Sequence, residues 1–334
     1  MTTFGDEASD GMPARSHGTR LFHYDATCAR PAEGTGPALR TRPVGGLPHG
    51  DGYARLTGRE LVVQSRGTDG TTGEPAFTWA SDPGGPDDHL KWAALVAHTA
   101  TSGLPGFDAP DAGELVGSVE MSAQVFGAAR HPFGDAVRDP GTDPRLAVGA
   151  FLVLDRETRA VFDFFLADRQ VFAVYERLPG DGGGDAFAYA VPVGERSPEQ
   201  VHRLEVALDR ARRRARWILD GRTVLTVDPV GAPLPPAHTP HLALGRARSA
   251  PVDAAPRQLT FGLGMLTWLG AAGPDGRALV RTSAPTGPAT EGAVPHGYVD
   301  GHGRRENRLW GQGVRLRVRR LSVTAYPRPR PDGG

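Results

Sequence analysis

The side chain whose surroundings point most clearly to unusual chemistry is the carboxyl group of Asp163, in the segment Val161-Phe-Asp-Phe-Phe-Leu166. Three phenylalanines flank it, and burial among apolar side chains disfavours a charged carboxylate, so we expect a raised pKa. A neutral carboxylic acid can donate a hydrogen bond to a substrate carbonyl and polarise it. Asp163 is therefore a catalytic candidate. The structural alternative is an aspartate that caps a turn or pairs with an arginine such as Arg169.

Polar side chains also recur at every second position of the segment 117–126, where they alternate with apolar ones. This period of two is typical of a strand with one polar face. Such a face either lines a cleft or is the solvent face of an outer sheet, because buried polar groups need partners. If it lines a cleft, Glu120 is a second catalytic candidate and Gln124 binds substrate. The four polar residues are Ser118, Glu120, Ser122 and Gln124.

Aromatic and imidazole side chains supply further substrate-binding candidates. Sugar sites and apolar pockets both use tryptophan platforms, and we expect Trp92 and Trp268 in a cleft. Trp217 is most simply part of the core. His131 is a cleft candidate whose alternative is a hydrogen-bonded histidine of the surface or the core.

Several other chemistries are not expected from this sequence. The 11 histidines show no metal-site spacing, Cys28 is the single cysteine, and the Gly-rich segments lack the context of a phosphate loop. We therefore expect no metal and no cofactor. Lys and Arg total 38, as do Asp and Glu, so the basic excess of a nucleic-acid-binding protein is missing. The five arginines of 210–216 are expected in a solvated hairpin.

The ends of the chain and its composition bear on location and source. The first residues are polar and acidic, and no run reaches 18 apolar residues, so we expect a cytoplasmic protein without membrane contact. Lys91 is the only lysine among the 38 basic residues. This composition is typical of a GC-rich genome, and from it we expect an actinobacterial protein of a natural-product pathway.

The elements that must position these residues are strands. Short apolar or alternating runs, separated by clusters of Gly, Pro and Asp, indicate an all-β protein. About fourteen strands favour one large jelly-roll sandwich of two stacked antiparallel sheets over residues 20–326. Disordered tails are expected at 1–19 and 327–334. The clearest predicted strands are 60–65, 117–126, 147–154, 160–166, 170–178, 187–193, 202–209, 215–219, 223–227, 241–244, 258–269 and 314–326.

Three segments between or beside these strands have features of their own. Asp220-Gly221 lies between two alternating runs and predicts a tight hairpin. Residues 89–99 are the best helix candidate, with a loop beside an active site as the alternative. Residues 271–312 are Gly-rich and too long for a simple turn, so we expect a functional or disordered loop there.

The order of several segments carries a resemblance over about residues 60–326. They are the alternating strand 117–126, the apolar strand 147–154, Val161-Phe-Asp-Phe-Phe-Leu166, His202-Arg-Leu-Glu-Val-Ala-Leu-Asp209, Arg216-Trp-Ile-Leu-Asp-Gly221 and the last strand 314–326. This order resembles the concanavalin A-like lectin/glucanase superfamily, in its branch of family-16 glycoside hydrolases. The resemblance implies a jelly roll with a ligand cleft on one sheet.

The sequence differs from that family at the positions of the catalytic carboxylates. The family carries its catalytic carboxylates on one strand, as Glu-x-Asp-x-Glu or Glu-x-Asp-x-x-Glu, because alternate residues share a face. Aligned with this pattern, the central aspartate remains as Asp163, but Val161 replaces the first Glu, and Phe165 or Leu166 replaces the last. Apolar side chains can neither protonate nor attack a substrate. Ordinary glycoside hydrolysis at this strand is therefore not expected.

The same strand predicts which side chains would meet a ligand. Val161, Asp163 and Phe165 share one face by strand periodicity, and we expect that face to line an apolar, aromatic pocket. Val161 and Phe165 are thus substrate-binding candidates. The opposite set is expected in the core between the sheets, and comprises Phe162, Phe164 and Leu166.

Three functions are compatible with these observations. The favoured one is a cofactor-independent cyclase, of the pericyclase or (4+2) cycloaddition type, which folds a large, apolar, polyketide-like small molecule in an aromatic cleft. Such catalysis depends on holding the substrate in shape and on a few hydrogen-bond donors. The alternatives are a non-catalytic carbohydrate-binding module and a glycoside hydrolase or lyase with displaced catalytic residues. A lidded apolar pocket without a carboxylate pair would favour the cyclase, and a sugar held by polar contacts would favour the alternatives.

Overall fold

The computed structural model describes residues 17–30, 32–80, 89–179, 186–245, 255–273, 275–281, 297–301 and 304–328. In these ranges the chain is built mainly from strands, with short 3-10 helices at Ala128–Arg130, Gly134–Ala136 and Pro236–His241. The prediction of an all-β protein is confirmed. The strands are β1 Thr19–Asp25, β2 Ala32–Glu33, β3 Leu39–Thr41, β4 Gly52–Leu56, β5 Leu61–Ser65, β6 Gly67–Thr68, β7 Pro75–Ala76, β8 Leu90–Val96, β9 Phe107–Asp108, β10 Gly113–Phe126, β11 Ala147–Leu154, β12 Ala160–Val161, β13 Phe164–Leu166, β14 Gln170–Arg177, β15 Phe187–Glu195, β16 His202–Asp209, β17 Arg214–Leu219, β18 Arg222–Val227, β19 Leu242–Gly245, β20 Gln258–Thr267, β21 Arg277–Val280, β22 Gly297–Asp300 and β23 Gly313–Pro327.

Two large sheets contain most of these strands. The first, which we call the β10 sheet, has the order β18-β17-β16-β10-β23-β5-β4-β2, and β1 pairs with β23. The second, the β11 sheet, has the order β19-β15-β14-β12-β11-β20-β8-β3; β13 pairs with β11 and β14, and β9 with β20. The pairings within both sheets are antiparallel. The predicted jelly-roll sandwich of antiparallel sheets is thus confirmed.

The sheets stack because each has one apolar face, and the two faces form a shared core. Along β10, Leu115, Val119 and Met121 lie between the sheets and are 0% exposed. Phe151 of β11 and Phe164 of β13 belong to the same cluster from the other side. Removing this much apolar surface from water is the main stabilising contribution to such a sandwich.

The core set predicted for the segment 160–166 is confirmed, although the segment is two strands rather than one. Phe162, Phe164 and Leu166 lie in the shared core. β12 ends at Val161 and β13 begins at Phe164, so the strand is interrupted beside Asp163. Alternation nevertheless continues across the interruption, which is why the period of two predicts the faces correctly.

The helix predicted at 89–99 is wrong, because residues 90–96 form the strand β8. Its alternate residues Trp92, Ala94 and Val96 belong to the shared core, while Ala93 and Leu95 pack on the opposite face of the β11 sheet. A strand covered on both faces has a nearly continuous apolar sequence. In such a run, apolar residues also occur at helical spacing by coincidence.

The two predicted hairpin features are confirmed. β17 and β18 pair across Asp220-Gly221, and both turn residues have positive φ. Arg210, Arg212 and Arg213 lie in the turn between β16 and β17, whereas Arg214 and Arg216 belong to β17. Carboxylates pair with several of them; Arg214, for example, pairs with Asp228 at 2.6 Å.

Other predicted segments lie partly outside the described residues. For the tails this holds for 1–16 and 329–334, while β1 begins at Thr19 and β23 ends at Pro327. Of the predicted loop 271–312, the described residues include β21 and β22, which pair in parallel outside both large sheets. No helix of the described residues is long and apolar enough to cross a membrane.

Candidate functional site

The outer face of the β11 sheet, the face turned away from the shared core, is apolar as well. Seven of the 15 buried residues in its cluster are alanines, so three aromatic residues supply most of its large side chains. The rings of Phe165 and Trp268 meet nearly at right angles, with centroids 5.4 Å apart. The members are Ala93, Leu95, Val148, Ala150, Leu152, Phe165, Ala167, Phe172, Val174, Ala188, Ala190, Ala243, Leu266, Trp268 and Ala271.

The predicted binding residues of this face are covered. Phe165 and Trp268 come together as expected, but Phe165 is 4% exposed, Trp268 5% and Val161 6%. Side chains buried to this degree pack against the protein and do not line an open cleft. Their role as substrate-binding residues stays a prediction.

Asp163 occupies the interruption between β12 and β13 and replaces part of the strand ladder. Its carboxylate accepts a hydrogen bond from the backbone N–H of Val153 at 2.7 Å. Its main-chain oxygen accepts two more, from the N–H of Val174 at 2.8 Å and from the indole N–H of Trp217 at 2.9 Å. Asp163 does not pair with Arg169. Asp163 therefore has a structural role, because its hydrogen bonds hold the neighbouring strands together at the interruption.

The expected pKa shift at Asp163 is present, and its cause is burial. Desolvation raises the pKa of Asp163 well above its usual value, against the opposing hydrogen bond from Val153, and the charge of Glu176 adds to the increase. The carboxyl group thus favours its neutral, protonated form.

Glu176 is a second carboxyl group on this face, and it is not among the site residues predicted from the sequence. In β14 it faces the same way as Phe172 and Val174, and its cross-strand partner is Val161. Burial raises its pKa to about 7. A carboxyl group with that pKa can give or take a proton near neutral pH. The signal that could have found it is a glutamate that follows Phe172 and Val174 at alternate positions of the segment 170–178.

Glu120 and Gln124 are not part of this group. They lie on the outer face of the β10 sheet, so both sheets and the shared core separate them from Asp163. Arg320 donates to Glu120 at 3.4 Å and Arg315 donates to Gln124 at 3.4 Å. Glu120 and Gln124 therefore do not share a site with Asp163, and their roles in catalysis and substrate binding stay predictions. Periodicity assigns a face to each side chain but does not tell which sheet the strand joins.

Trp92 does not lie in a cleft, in contrast to the prediction. It is 1% exposed and lies in the shared core, on the opposite side of the β11 sheet from Trp268. The two tryptophans therefore cannot line one pocket.

His131 lies in the connection between β10 and β11. Its Nδ1 accepts the backbone N–H of Phe133 at 3.2 Å, and the two rings stack. Burial lowers its pKa, Asp143 opposes the decrease and Arg145 adds to it. These two charged neighbours line a cavity, but His131 is not among the residues found to line it, and its role as a substrate-binding residue stays a prediction.

The cavity has a volume of about 300 Å³ and opens at one edge of the outer face of the β11 sheet. β14, β15 and β19 supply its apolar floor, and the 135–145 segment and the residues around Ala272 supply its polar walls. A volume of this size is at the lower end of small-ligand pockets. The lining residues are Asp135, Ala136, Arg138, Asp139, Thr142, Asp143, Pro144, Arg145, Phe172, Ala190, Pro192, Pro240, His241, Leu242, Ala243, Ala272, Gly273 and Asp275.

Some of the charged groups in the cavity wall hold the wall itself together. Arg145 pairs with Asp143 at 2.6 Å and donates to the main-chain oxygens of Ala136 and Arg277 at 2.6 and 3.2 Å. It thereby ties the 135–145 segment to β21. Being 2% exposed, this guanidinium is a structural anchor of the cavity.

Asp139 is likewise engaged, and it is a carboxylate rather than an acid. Partial burial alone would raise its pKa, but hydrogen bonds from Gly141 and Thr142 and the Arg169 guanidinium together lower that pKa below its usual value. By contrast, Asp135 and Arg138 are exposed at the rim and make no hydrogen bond or ion pair with the described residues. They are the charged groups best placed to meet a ligand.

His241 completes the polar wall. It ends the 3-10 helix Pro236–His241 and is half-buried. Burial lowers its pKa, and the nearby His238 lowers it further. A neutral imidazole both donates and accepts a hydrogen bond, so it suits a hydroxyl group. Within the described residues, no group of three or more His, Cys, Asp or Glu side chains could hold a metal ion.

Comparison with known proteins places the chain in a family. Residues 26–327 match the model of a family described as "Family of unknown function (DUF6081)". The chain belongs to this family. Nearly all strands described above, including every strand that lines the cavity, lie within the matched range.

This DUF6081 chain is also similar to one viral protein over part of its length. "Uncharacterized protein L829" of Acanthamoeba polyphaga mimivirus is 32% identical over 125 residues, which are 36% of this chain and 27% of the viral protein. The match thus spans about a quarter of that relative's length.

Solved structures similar to the DUF6081 chain include two glucanases. The catalytic domain of an endo-1,3-beta-glucanase (laminarinase) from Thermotoga petrophila RKU-1 has 11% identity and a TM-score of 0.45, covering 93% of this chain and 99% of that one. An endo-beta-1,3-glucanase from Pyrococcus furiosus has 11% identity and a TM-score of 0.44, with coverages of 93% and 96%. The likeness concerns the fold alone. The predicted actinobacterial source and natural-product pathway gain no support from these matches.

Proposed function

We propose that this protein binds a neutral carbohydrate, one or two sugar rings in size, in the cavity at the edge of the β11 sheet. The observation that carries the proposal is the combination of an apolar floor with a rim of carboxylate, guanidinium, imidazole and hydroxyl groups. A pyranose ring offers the same combination, with an apolar C–H face and a ring of hydroxyls. Pockets that fix orientation with a few polar groups around an apolar surface are typical of small-molecule sites.

Binding without hydrolysis is the function that the wall chemistry favours. A retaining glycosidase needs one carboxylic acid to protonate the leaving group and a second carboxylate about 5–5.5 Å away. Asp139 and Asp143 are both paired with guanidinium groups, and the pKa of Asp139 is lowered. Carboxylates held in this way accept hydrogen bonds from sugar hydroxyls but are poor proton donors. This corresponds to the carbohydrate-binding alternative of the sequence analysis.

The proposal is tested with an array of neutral oligosaccharides, followed by calorimetry on those retained. Replacing the two rim groups, Asp135→Asn with Arg138→Gln, should weaken binding about thirtyfold, since each of the two hydrogen bonds to a charged group contributes on the order of 1 kcal/mol. The matched control is Asp111→Asn with Arg212→Gln, two exposed groups outside the cavity. Failure of every neutral glycan to bind, or equal losses in the two double variants, would refute the proposal.

A second candidate function is the cofactor-independent cyclase, and Glu176 is the observation that favours it. Asp163 and Glu176 are two carboxyl groups with raised pKa values on one apolar face. Such a pair could polarise a carbonyl and move a proton in an environment that excludes water. A cyclase of this type is expected to have an apolar pocket without a carboxylate pair. The outer face carries such a pair, and the side chains next to it are buried, so this candidate ranks second.

The two candidates predict different ligands. A conjugated apolar polyene that entered the outer face would quench the fluorescence of Trp268, and Trp268→Phe would remove the quenching. Neutral sugars would not compete with it, because the cavity lies at the edge of the face. Absence of any Trp268-dependent quenching would eliminate the second candidate.

A further inference from the structure

The outer face of the β10 sheet carries a groove whose charge differs sharply from that of the whole chain. The groove has a volume of about 830 Å³ and runs over β4, β5 and β23. Six arginines and two glutamates line it, a formal charge of +4, whereas the chain has a formal net charge of zero. The lining residues are Thr27, Arg55, Thr57, Arg59, Glu60, Val62, Glu120, Arg315, Arg317, Arg319 and Arg320.

A local irregularity of β23 concentrates the arginines. Arg315 and Arg317 alternate with core residues, as expected for a strand with one outer face. The register with β10 then shifts, so that Glu120 opposes Arg320 while Met121 opposes Val318. The extra residue is Arg319, and such a β-bulge lets consecutive side chains reach one side of a sheet. Regular alternation would have turned one of these arginines toward the core.

Neighbouring strands hold the guanidinium groups close together. Val62 of β5 lies between Arg317 of β23 and Arg55 of β4 in the strand register, and it is 4% exposed although it is on the outer face. We attribute this burial to the aliphatic stems of the two arginines, which can cover apolar surface while their charged ends remain in water. Burial lowers the pKa of Arg315, and the charges of Arg317 and Arg55 lower it further, so these cations repel one another.

The groove already binds carboxylates that belong to the protein. Glu60 accepts a hydrogen bond from Arg317 at 2.8 Å and lies 3.7 Å from Arg319. Glu120 and Asp25 accept from Arg320 at 3.4 and 3.2 Å. The spacing of these guanidinium groups therefore suits carboxylates presented from outside the sheet.

Not all arginines of the groove are neutralised in this way. Among the described residues, Arg55 and Arg59 have no carboxylate within ion-pair distance, and Arg315 donates only to the amide of Gln124 and lies over the ring of Phe126. These three guanidinium groups are therefore available to bind carboxylates of a ligand.

We propose that this groove is a second binding site and that its ligand is a polyuronate, a linear polysaccharide with a carboxylate on each sugar. Its carboxylates would pair with Arg55, Arg59 and Arg315, because guanidinium groups bind carboxylates in a two-pronged geometry. The hydroxyls of Thr27 and Thr57 would meet sugar hydroxyls. The site lies on the opposite side of the sandwich from the cavity and does not depend on the function proposed for it.

A nucleic acid is the competing polyanion, and the lining residues disfavour it. Proteins that bind single strands combine positive charge with aromatic side chains on which bases stack. None of the residues found to line the groove is aromatic. A polyuronate needs only cations and hydroxyl partners, both of which the groove supplies.

The test is affinity electrophoresis at low ionic strength in gels that contain polygalacturonate, neutral pullulan or poly(U). Two double variants are compared with the wild type. The first, Arg55→Gln with Arg59→Gln, removes two unpaired cations of the groove. The second, Arg20→Gln with Arg222→Gln, removes two exposed arginines outside it and changes the net charge equally. Circular dichroism verifies that both variants are folded, as expected for exposed positions.

We expect polygalacturonate to retard the wild type while pullulan does not, with the retardation decreasing as salt is added. The groove variant should bind about three- to tenfold more weakly, in keeping with exposed ion pairs, and the control should remain close to the wild type. Three results would overturn the proposal: no retardation by polygalacturonate, equal losses in both variants, or stronger retardation by poly(U). Neutral-sugar binding in the cavity should be unchanged in either variant, which separates this proposal from the first.

Discussion

At the scale of single residues, Asp163 performs a structural task that an amide could also perform. Asp163→Asn keeps an oxygen that accepts the Val153 N–H and removes the cost of a buried ionisable group. We expect its free energy of unfolding at pH 7 to equal or exceed that of the wild type. Asp163→Ala leaves the N–H without that acceptor and should cost about 1–3 kcal/mol. Urea unfolding distinguishes the variants; equal losses in both would show that the carboxylate itself is required.

Glu176 makes stability depend on pH in a defined direction. Its pKa is raised from 4.5 to about 7 in the folded protein, so the folded state binds more protons than the unfolded state between these values. The stabilising contribution is therefore present below pH 4.5 and is lost as pH rises through 7. The loss should be on the order of 1–3 kcal/mol.

The variant Glu176→Gln isolates this effect, because it keeps the shape of the side chain but cannot titrate. Its unfolding free energy should exceed that of the wild type at pH 8, and the difference should shrink toward pH 4. Asp163 titrates in both proteins, and losing the charge of Glu176 lowers its raised pKa, which adds to the stability gained by the variant at pH 8. A pH-independent difference would mean that Glu176 is ionised in the folded state.

The contrast between these two residues shows what local sequence can predict. Three adjacent phenylalanines signal a buried carboxyl group at position 163, and burial with a raised pKa is present. Glu176 follows Phe172 and Val174 at alternate positions, which indicates the face on which it lies. The remaining apolar groups around it, such as Val161, come from a neighbouring strand, and this pairing is not present in any local window of the sequence.

At the scale of elements, the glycines of β20 control how closely β8 can approach. A Cβ at Gly262 would lie 2.5 Å from the main-chain oxygen of Ala94, which is part of the strand ladder and cannot move away alone. At Gly264, two residues along the same strand, the nearest contact would be the flexible side chain of Leu152 at 3.0 Å.

We therefore expect Gly262→Ala to destabilise the protein by about 2 kcal/mol or more and Gly264→Ala by less than about 1 kcal/mol. Thermal unfolding of the two variants measures the difference. Equal melting temperatures would mean that β8 and β20 are not held at the distance described here.

Strand faces are predictable from the sequence, whereas neighbours across sheets are not. The alternation over 160–166 correctly divides core from outer face, even across the interruption at Asp163. The same rule applied to β10 identifies a polar face but cannot tell that it belongs to the opposite sheet. β8 fails for a related reason, since burial on both faces removes the alternation that marks a strand.

At the scale of the whole molecule, the sandwich has one candidate binding surface on each side. One side has the small, partly apolar cavity at the edge of the β11 sheet, and the other has the cationic groove over β4, β5 and β23. Composition conceals this division, because opposite charges elsewhere bring the net charge to zero. The cavity could not be predicted either, since it is assembled from segments about 100 residues apart in the chain, such as 135–145 and 240–243.

A methyl NMR titration with the neutral oligosaccharides retained on the array shows most directly whether the cavity binds sugar. Ala190, Leu242 and Ala243 line the cavity, Val62 lies under the cationic groove, and Leu152 belongs to the outer face nearer Asp163. Binding in the cavity should cause saturable shifts of the Ala190, Leu242 and Ala243 methyl signals, while those of Val62 and Leu152 stay in place. Shifts confined to Leu152 or to Val62, or no saturable shift at any of these methyl groups, would contradict binding in the cavity.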